Sequence, residues 1–214
     1  MKFLRSTISN DSNIGLYGFA TDKYCLLGQR DKKVEKVLKV PLRVNKFFNT
    51  SLAGIFCVGN SSGIIVPDII EEDEITSLEK HFKVLVLKTT CTAIGNMIVM
   101  NDKGIIISPL LKKERKKISE FFDLPCEITT IAGSKVIGSS CIATNNGCLS
   151  HPKTKEREEK VIEKTLGVKV DIGTINFGSP FVKAGILANS NGFVVSKNTS
   201  GHEMGRASEA LGFV

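Results

Sequence analysis

The sequence predicts an α/β protein built as a fivefold pseudo-symmetric propeller, and three observations predict it. The first is recurring text. Residues 92–109, TAIGNMIVMNDKGIIISP, are echoed as LAGIFCVGNSSGIIVP at 52–67, VIGSSCIATNNGCLSHP at 136–152 and IGLYGFATDKYCLL at 14–27. The second is a fixed interval: Gly54 to Gly63, Gly95 to Gly104, Gly138 to Gly147 and Gly15 to Tyr24 are each nine residues apart. The third is the period. A looser fifth copy, FVKAGILANSNGFVVSK at 181–197, brings Gly185 two residues closer to its turn, and the turn-closing positions 24, 63, 104, 147 and 192 then lie 39, 41, 43 and 45 residues apart. Such a period marks units that bury their faces only against neighbouring units. Each unit reads as strand, hairpin and helix, and residues 1–214 form a single domain of five repeats.

The elements follow in order. Residues 2–8 form a short strand without a helix of its own, which closes the ring by pairing with the last unit, so that no sheet edge is left open. The first hairpin spans 13–28, a helix covers 31–40 with Val34, Val37 and Leu38 on one stripe, and Pro41 ends it. A strand at 44–48 leads into the second copy. Residues 68–82 read as a helix opened by a capping box of Asp68 and Glu71, with Ile75, Leu78 and Phe82 on one face. The Val- and Leu-rich strand 83–87 reads as covered on both sides. The third helix, 112–124, presents Ile118, Phe121 and Phe122 inward and a basic face outward. Strand 126–131 precedes the fourth copy, and helix 155–166 follows it, stopped by Gly167. Strand 168–175 and the fifth copy lead to helix 200–211, where Ser200 and Glu203 make a capping box.

Composition sets limits on function. With 214 residues and 42% apolar content the chain can bury a sizeable core. It has neither an apolar run of membrane-spanning length nor a signal-peptide core, which predicts a soluble, cytoplasmic protein with no membrane partner. Of the six cysteines, four alternate with Ile and Phe at repeat positions (Cys57 and Cys141 with Ile98; Cys25 and Cys148 with Ile64, Ile105 and Phe193), so the cysteines read as small buried hydrophobes in a reducing compartment. The net charge of +7 is concentrated at residues 30–33, 112–117 and 153–160. Each cluster reads first as a solvated helix face, but together they suggest a polyanionic neighbourhood.

No phosphate loop is present, and the three histidines His81, His151 and His202 lack metal-ligand spacing, so neither a cofactor nor a metal is called for. The polar anomalies are asparagines. Directly after the repeat glycine stand Leu16, Ile55 and Ser139, but Asn96 in the third copy. Asn176, Asn13 and the turn residues Asn60, Asn101, Asn145 and Asn189 complete the set. Turn chemistry accounts for the last four. Asn96 and Asn176 stand out because asparagine is a poor strand residue without a partner.

Two resemblances bear on function. The fivefold, pentein-like propeller is shared with guanidine-modifying enzymes, whose nucleophilic cysteine lies in the last repeat; this chain has no cysteine after Cys148. A much closer likeness runs end to end. CVGNSSGIIVP at 57–67, AIGNMIVMND at 93–102, TNNGCLSHPKT at 144–154, GTINFGS at 173–179 and NTSGHE at 198–203 resemble the translation initiation factor 6 family in its short archaeal form. The resemblance implies the propeller fold and no enzymatic activity. It implies a monomer that binds the large ribosomal subunit beside the sarcin-ricin loop, blocks small-subunit joining and takes part in large-subunit maturation. It implies that Asn96 lies at the contact with a large-subunit protein. Asn60, Asn13, Asn145 and Asn176 are further ribosome-binding candidates. The alternatives are the guanidine-modifying enzyme and a nonspecific RNA-binding protein.

Overall fold

The computed structural model describes residues 2–214. The chain repeats one unit: two antiparallel strands joined by a tight turn, an outer helix, and a third strand parallel to the second. In the first unit these are β2 (Gly18–Ala20), β3 (Cys25–Leu27), α1 (Lys32–Leu38) and β4 (Leu42–Val44). The second has β5 (Val58–Asn60), β6 (Gly63–Pro67), α2 (Glu72–Glu79) and β7 (Val84–Leu87). The third has β8 (Ile98–Met100), β9 (Ile105–Ile107), α3 (Arg115–Phe122) and β10 (Cys126–Ile128). The fourth has β11 (Cys141–Ala143), β12 (Cys148–Ser150), α4 (Glu156–Leu166) and β13 (Val170–Ile172).

The fifth unit has β14 (Ile186–Asn189), β15 (Gly192–Ser196) and α5 (Gly201–Ala210). Its third strand is the N-terminal β1 (Phe3–Ser6), parallel to β15 with Phe3 opposite Phe193 and Ser6 opposite Ser196. Among the described residues the strands thus make five three-stranded sheets. The first strands of the units touch in cyclic order: β2 meets β5, β5 meets β8, β8 meets β11, β11 meets β14, and β14 meets β2.

Side-chain alternation explains why the middle strands are continuously apolar. Successive residues point to opposite faces of a strand, and here each face meets a different neighbouring sheet. Ile64 and Val66 pack with Phe19, Tyr24 and Leu26 of the first unit, while Ile65 joins Ile98, Ile105 and Ile107 of the third. Ile106 turns the other way, into a cluster with Cys141, Cys148 and Ile162. Burying each such side chain contributes roughly 1.5–3 kcal/mol, so the sheets are held by one another. The cysteines serve as filler in these cores: all six are free, and five are buried. Burial pushes the Cys25 and Cys57 thiols well up and the Cys126 thiol to about 11, so they are neutral and inert near neutral pH.

Several local expectations need correction. The Asp68–Glu71 capping box does not form, because the Asp68 N–H donates to Leu87 O (2.9 Å) and ties this segment to the end of β7, so α2 starts only at Glu72. The strand expected at 44–48 ends at Val44, and residues 47–50 form a tight turn with Phe48 and Asn49 at positive φ (51° and 58°). β7 is covered on alternate residues only, Leu85 and Leu87 being buried while Val84 and Val86 are half-buried. The Ser200–Glu203 capping box and the left-handed Gly167 stop (φ 61°) are present.

Candidate functional site

Each inner strand is preceded by a short helical turn: Ile14–Tyr17, Ala53–Phe56, Ile94–Asn96, Ile137–Ser140 and Val182–Gly185. These turns also touch in cyclic order and close a ring at one end of the inner strands. The repeat glycines make that contact. A Cβ on Gly54 would lie 2.2 Å from Gly15 O, one on Gly95 would lie 2.0 Å from Gly54 O, and one on Gly138 would lie 2.3 Å from Gly95 O. Only glycine lets the backbones approach this closely.

In the fifth unit the ring position belongs to Lys183, nine residues before Gly192, and not to Gly185 as the fifth copy suggested. Gly185 has a separate reason to be glycine: the Asn176 amide lies against it, 2.9 Å from where a Cβ would sit. Lys183 is half-buried, and its Nζ reaches inward to donate to Gly95 O (2.6 Å) and Gly54 O (3.3 Å). Burial lowers its amine to about 8.

The next position around the ring is Leu16, Ile55, Asn96, Ser139 and Ala184, all half-buried. Asn96 belongs to a helical turn, so its interest does not come from being misplaced in a strand, as the sequence had suggested. It comes from its amide, which makes no side-chain hydrogen bond among the described residues. Around this ring stand exposed apolar side chains: Phe177 is 84% exposed, Phe181 49%, and Val136 and Phe48 36% each. Asn176 is also explained locally. It sits at φ 52° in a tight turn, a conformation asparagine tolerates, and its Nδ2 donates to Ser12 O (3.2 Å) and Asn13 Oδ1 (3.5 Å). The structure thus brings Asn13 and Asn176 together and places Asn96 on the same end of the molecule, two units away around the ring.

Asn60 and Asn145 lie at the opposite end, where the hairpins turn. Asn60 is buried, donates to Asn101 O (3.1 Å) and accepts from Ser62 N (2.8 Å). Asn101 repeats the bond to Thr144 O (3.0 Å) and Asn189 to Thr21 O (2.9 Å), while Tyr24 Oη donates to Asn60 O (2.8 Å). One position further on, Asn145 Nδ2 donates to both Asp22 and Asp102 (2.7 Å each), and Ser61 and Ser190 donate to the same two carboxylates. This belt ties one hairpin end to the next, so its polar groups are already committed. The His151 ring is committed as well, its Nδ1 accepting from Lys153 N (3.0 Å). Among the described residues no three His, Cys, Asp or Glu side chains are grouped so as to hold a metal ion. No helix there is long and apolar enough to cross a membrane.

A family profile described as the eIF-6 family matches residues 3–210. The chain belongs to the eIF-6 family. Translation initiation factor 6 of Pyrococcus horikoshii is 35% identical over the full length of both chains. That of Methanococcus maripaludis strain C6 is 38% identical over 99% of each, and that of Saccharolobus islandicus strain L.S.2.15 is 35% identical over 99% of this chain and all of its own. Membership of the eIF-6 family makes the chain a translation factor with a ribosome-related partner.

Proposed function

We propose that the chain binds the large ribosomal subunit beside the sarcin-ricin loop and prevents the small subunit from joining, by occupying the joining face. The same binding serves large-subunit maturation. In this reading the five sheets are the blades of a closed pseudo-fivefold α/β propeller, a single domain acting as a monomer in the cytoplasm. A steric blocker needs a rigid body and a sticky face, and no reacting group.

The observation that carries the proposal is the helical-turn face, which presents the free Asn96 amide and, at other positions around the ring, exposed Val136, Phe177 and Phe181. Exposed apolar groups around an uncommitted polar one suit a protein partner. Asn13 and Asn176 belong to the same contact. Asn60 and Asn145, with their amides committed at the far end, are left out of it.

The test is affinity for purified large subunits. Phe177→Ala and Asn96→Arg should each weaken binding by about tenfold or more, the loss expected when a central anchor or its surroundings are disturbed. The thermal midpoint of both variants should stay near wild type, because neither side chain supports the core. Wild-type affinity in both folded variants would remove this face from the site.

A further inference from the structure

The three basic clusters of the sequence fare differently in the fold. In the second, Arg115 pairs with Glu127 (2.8 Å) and Lys116 faces Glu120 (3.6 Å). In the third, Lys160 pairs with Glu156 (2.6 Å). Although Lys112, Lys113, Lys117, Lys153, Lys155 and Arg157 join no ion pair among the described residues, both clusters therefore include cation–carboxylate pairs. The first does not. Its one carboxylate, Asp31, is turned to cap α1 and accepts from Lys33 N (2.8 Å) and Val34 N (3.2 Å). Arg30, Lys32 and Lys33 are exposed and join no ion pair among the described residues.

Closure of the chain adds two more cations to the same place. Because β1 runs parallel to β15, Arg5 and Lys197 meet across the seam although 192 residues apart, and Arg5 Nη2 donates to Lys197 O at 2.6 Å. Arg5, Arg30, Lys32, Lys33 and Lys197 line one open cleft with Asp31, five cations against one carboxylate. The backbone holds these like charges together with no internal partner. One Arg5 nitrogen is already fixed, which leaves the rest of its planar fork preset for an oxyanion.

We propose that this seam cleft takes the phosphodiester backbone of RNA. A phosphate backbone carries regularly spaced charge along its whole length, which matches a row of cations better than a flexible acidic peptide that must be ordered on binding. That the RNA is ribosomal rests on the reading given above; the cleft does not.

The test is fluorescence anisotropy with a labelled RNA hairpin of about 20 nucleotides and a labelled oligoglutamate peptide, from about 50 to 200 mM KCl, the range in which phosphate contacts are most visible. It compares wild type, Lys32→Gln/Lys33→Gln/Lys197→Gln, and Lys112→Gln/Lys113→Gln/Lys116→Gln, which removes the same charge from the second cluster, where Glu120 and Glu127 stand beside the cations. All six lysines are exposed, and circular dichroism melts check that both variants fold. The seam variant should bind RNA about tenfold more weakly or worse. Its log K against log salt slope should be shallower by about two, at roughly 0.7–0.9 for each phosphate no longer neutralised. The control should keep the wild-type slope.

Equal losses in the two variants, no RNA binding by wild type, or seam-dependent binding of the peptide in place of RNA would each overturn the cleft. Co-sedimentation of wild type with large subunits is measured alongside. Its absence with the RNA result intact strikes only the ribosomal reading. Its presence with an unaltered salt slope in the seam variant strikes only the cleft.

Discussion

Lys183 is the residue at which the repeat is broken on purpose. Four units place glycine at the ring, and the fifth sends an ammonium to the carbonyls of two of those glycines. The consequence is a stability term with a definite sign. With the amine near 8 in the fold and 10.5 as the ordinary value, the unfolded chain holds the proton longer, so this group adds stability as pH rises from about 8 towards 10.5. The buried thiols act in the opposite sense above pH 9, because they ionise only on unfolding. The lysine is therefore read as a difference. Relative to Lys183→Met, wild type should gain about 1.5 kcal/mol between pH 8 and pH 9.5 in urea unfolding, at about 1.36 kcal/mol per pKa unit. A constant difference would mean that the amine is not perturbed. Lys183 was legible in principle, as the residue nine before Gly192. Gly185, kept small by the Asn176 amide, masks it by offering a glycine close to the repeat spacing.

At the scale of elements, two outer helices hold the tight turns beneath them with a glutamate. The Glu158 carboxylate accepts from Thr130 Oγ1 (2.5 Å), Ala132 N (2.8 Å), Gly133 N (3.1 Å) and Lys155 N (2.9 Å). Glu203 repeats this with Thr174 Oγ1 (2.8 Å), Phe177 N (3.1 Å), Gly178 N (2.7 Å) and Ser200 N (2.8 Å). Burial disfavours ionisation of both, but these donors outweigh it and hold each carboxyl below its ordinary value. Their stabilisation is complete above pH about 4.5, the ordinary value, and is lost as pH falls through the depressed one. Glu203→Gln should cost about 2 kcal/mol at pH 7, since an amide cannot accept four bonds at once, and should flatten the acid limb of the stability curve. Chemical unfolding from pH 3 to 7 checks both. Because Glu203 also sets the turn that carries Phe177, the same variant should weaken large-subunit binding. The sequence showed the Ser200–Glu203 box but not the reach of Glu203 across to residues 174–178, which only the packing of a helix on a distant turn creates. The helical turns were hidden for a related reason: an apolar residue and a glycine running straight into an apolar strand read equally well as part of that strand.

For the whole molecule, the nine-residue interval was legible because it has a geometric cause. It is the distance from the glycine contact, up an inner strand and through the hairpin turn to a second close contact. At that turn a Cβ on Gly104 would meet Thr165 O at 2.0 Å, and one on Gly147 would meet Ala210 O at 2.1 Å. Gly95→Ala should therefore cost about 2–3 kcal/mol or more, by forcing two neighbouring units apart. Gly205→Ala, in α5 with nothing within 4 Å of the new Cβ, should gain about 0.5–1 kcal/mol from helix propensity. Urea midpoints of the two variants separate these outcomes. The proposed contact face was less legible, since exposure of Phe177 and Phe181 and the free Asn96 amide are set by neighbours remote in sequence.

The most direct measurement of the central claim is sucrose-gradient sedimentation of the protein with matched large and small ribosomal subunits, under salt and magnesium conditions in which the subunits join. The account predicts that the protein travels with free large subunits and that the joined-ribosome peak falls as protein is added. Full recovery of joined ribosomes, with the protein remaining at the top of the gradient, would contradict it.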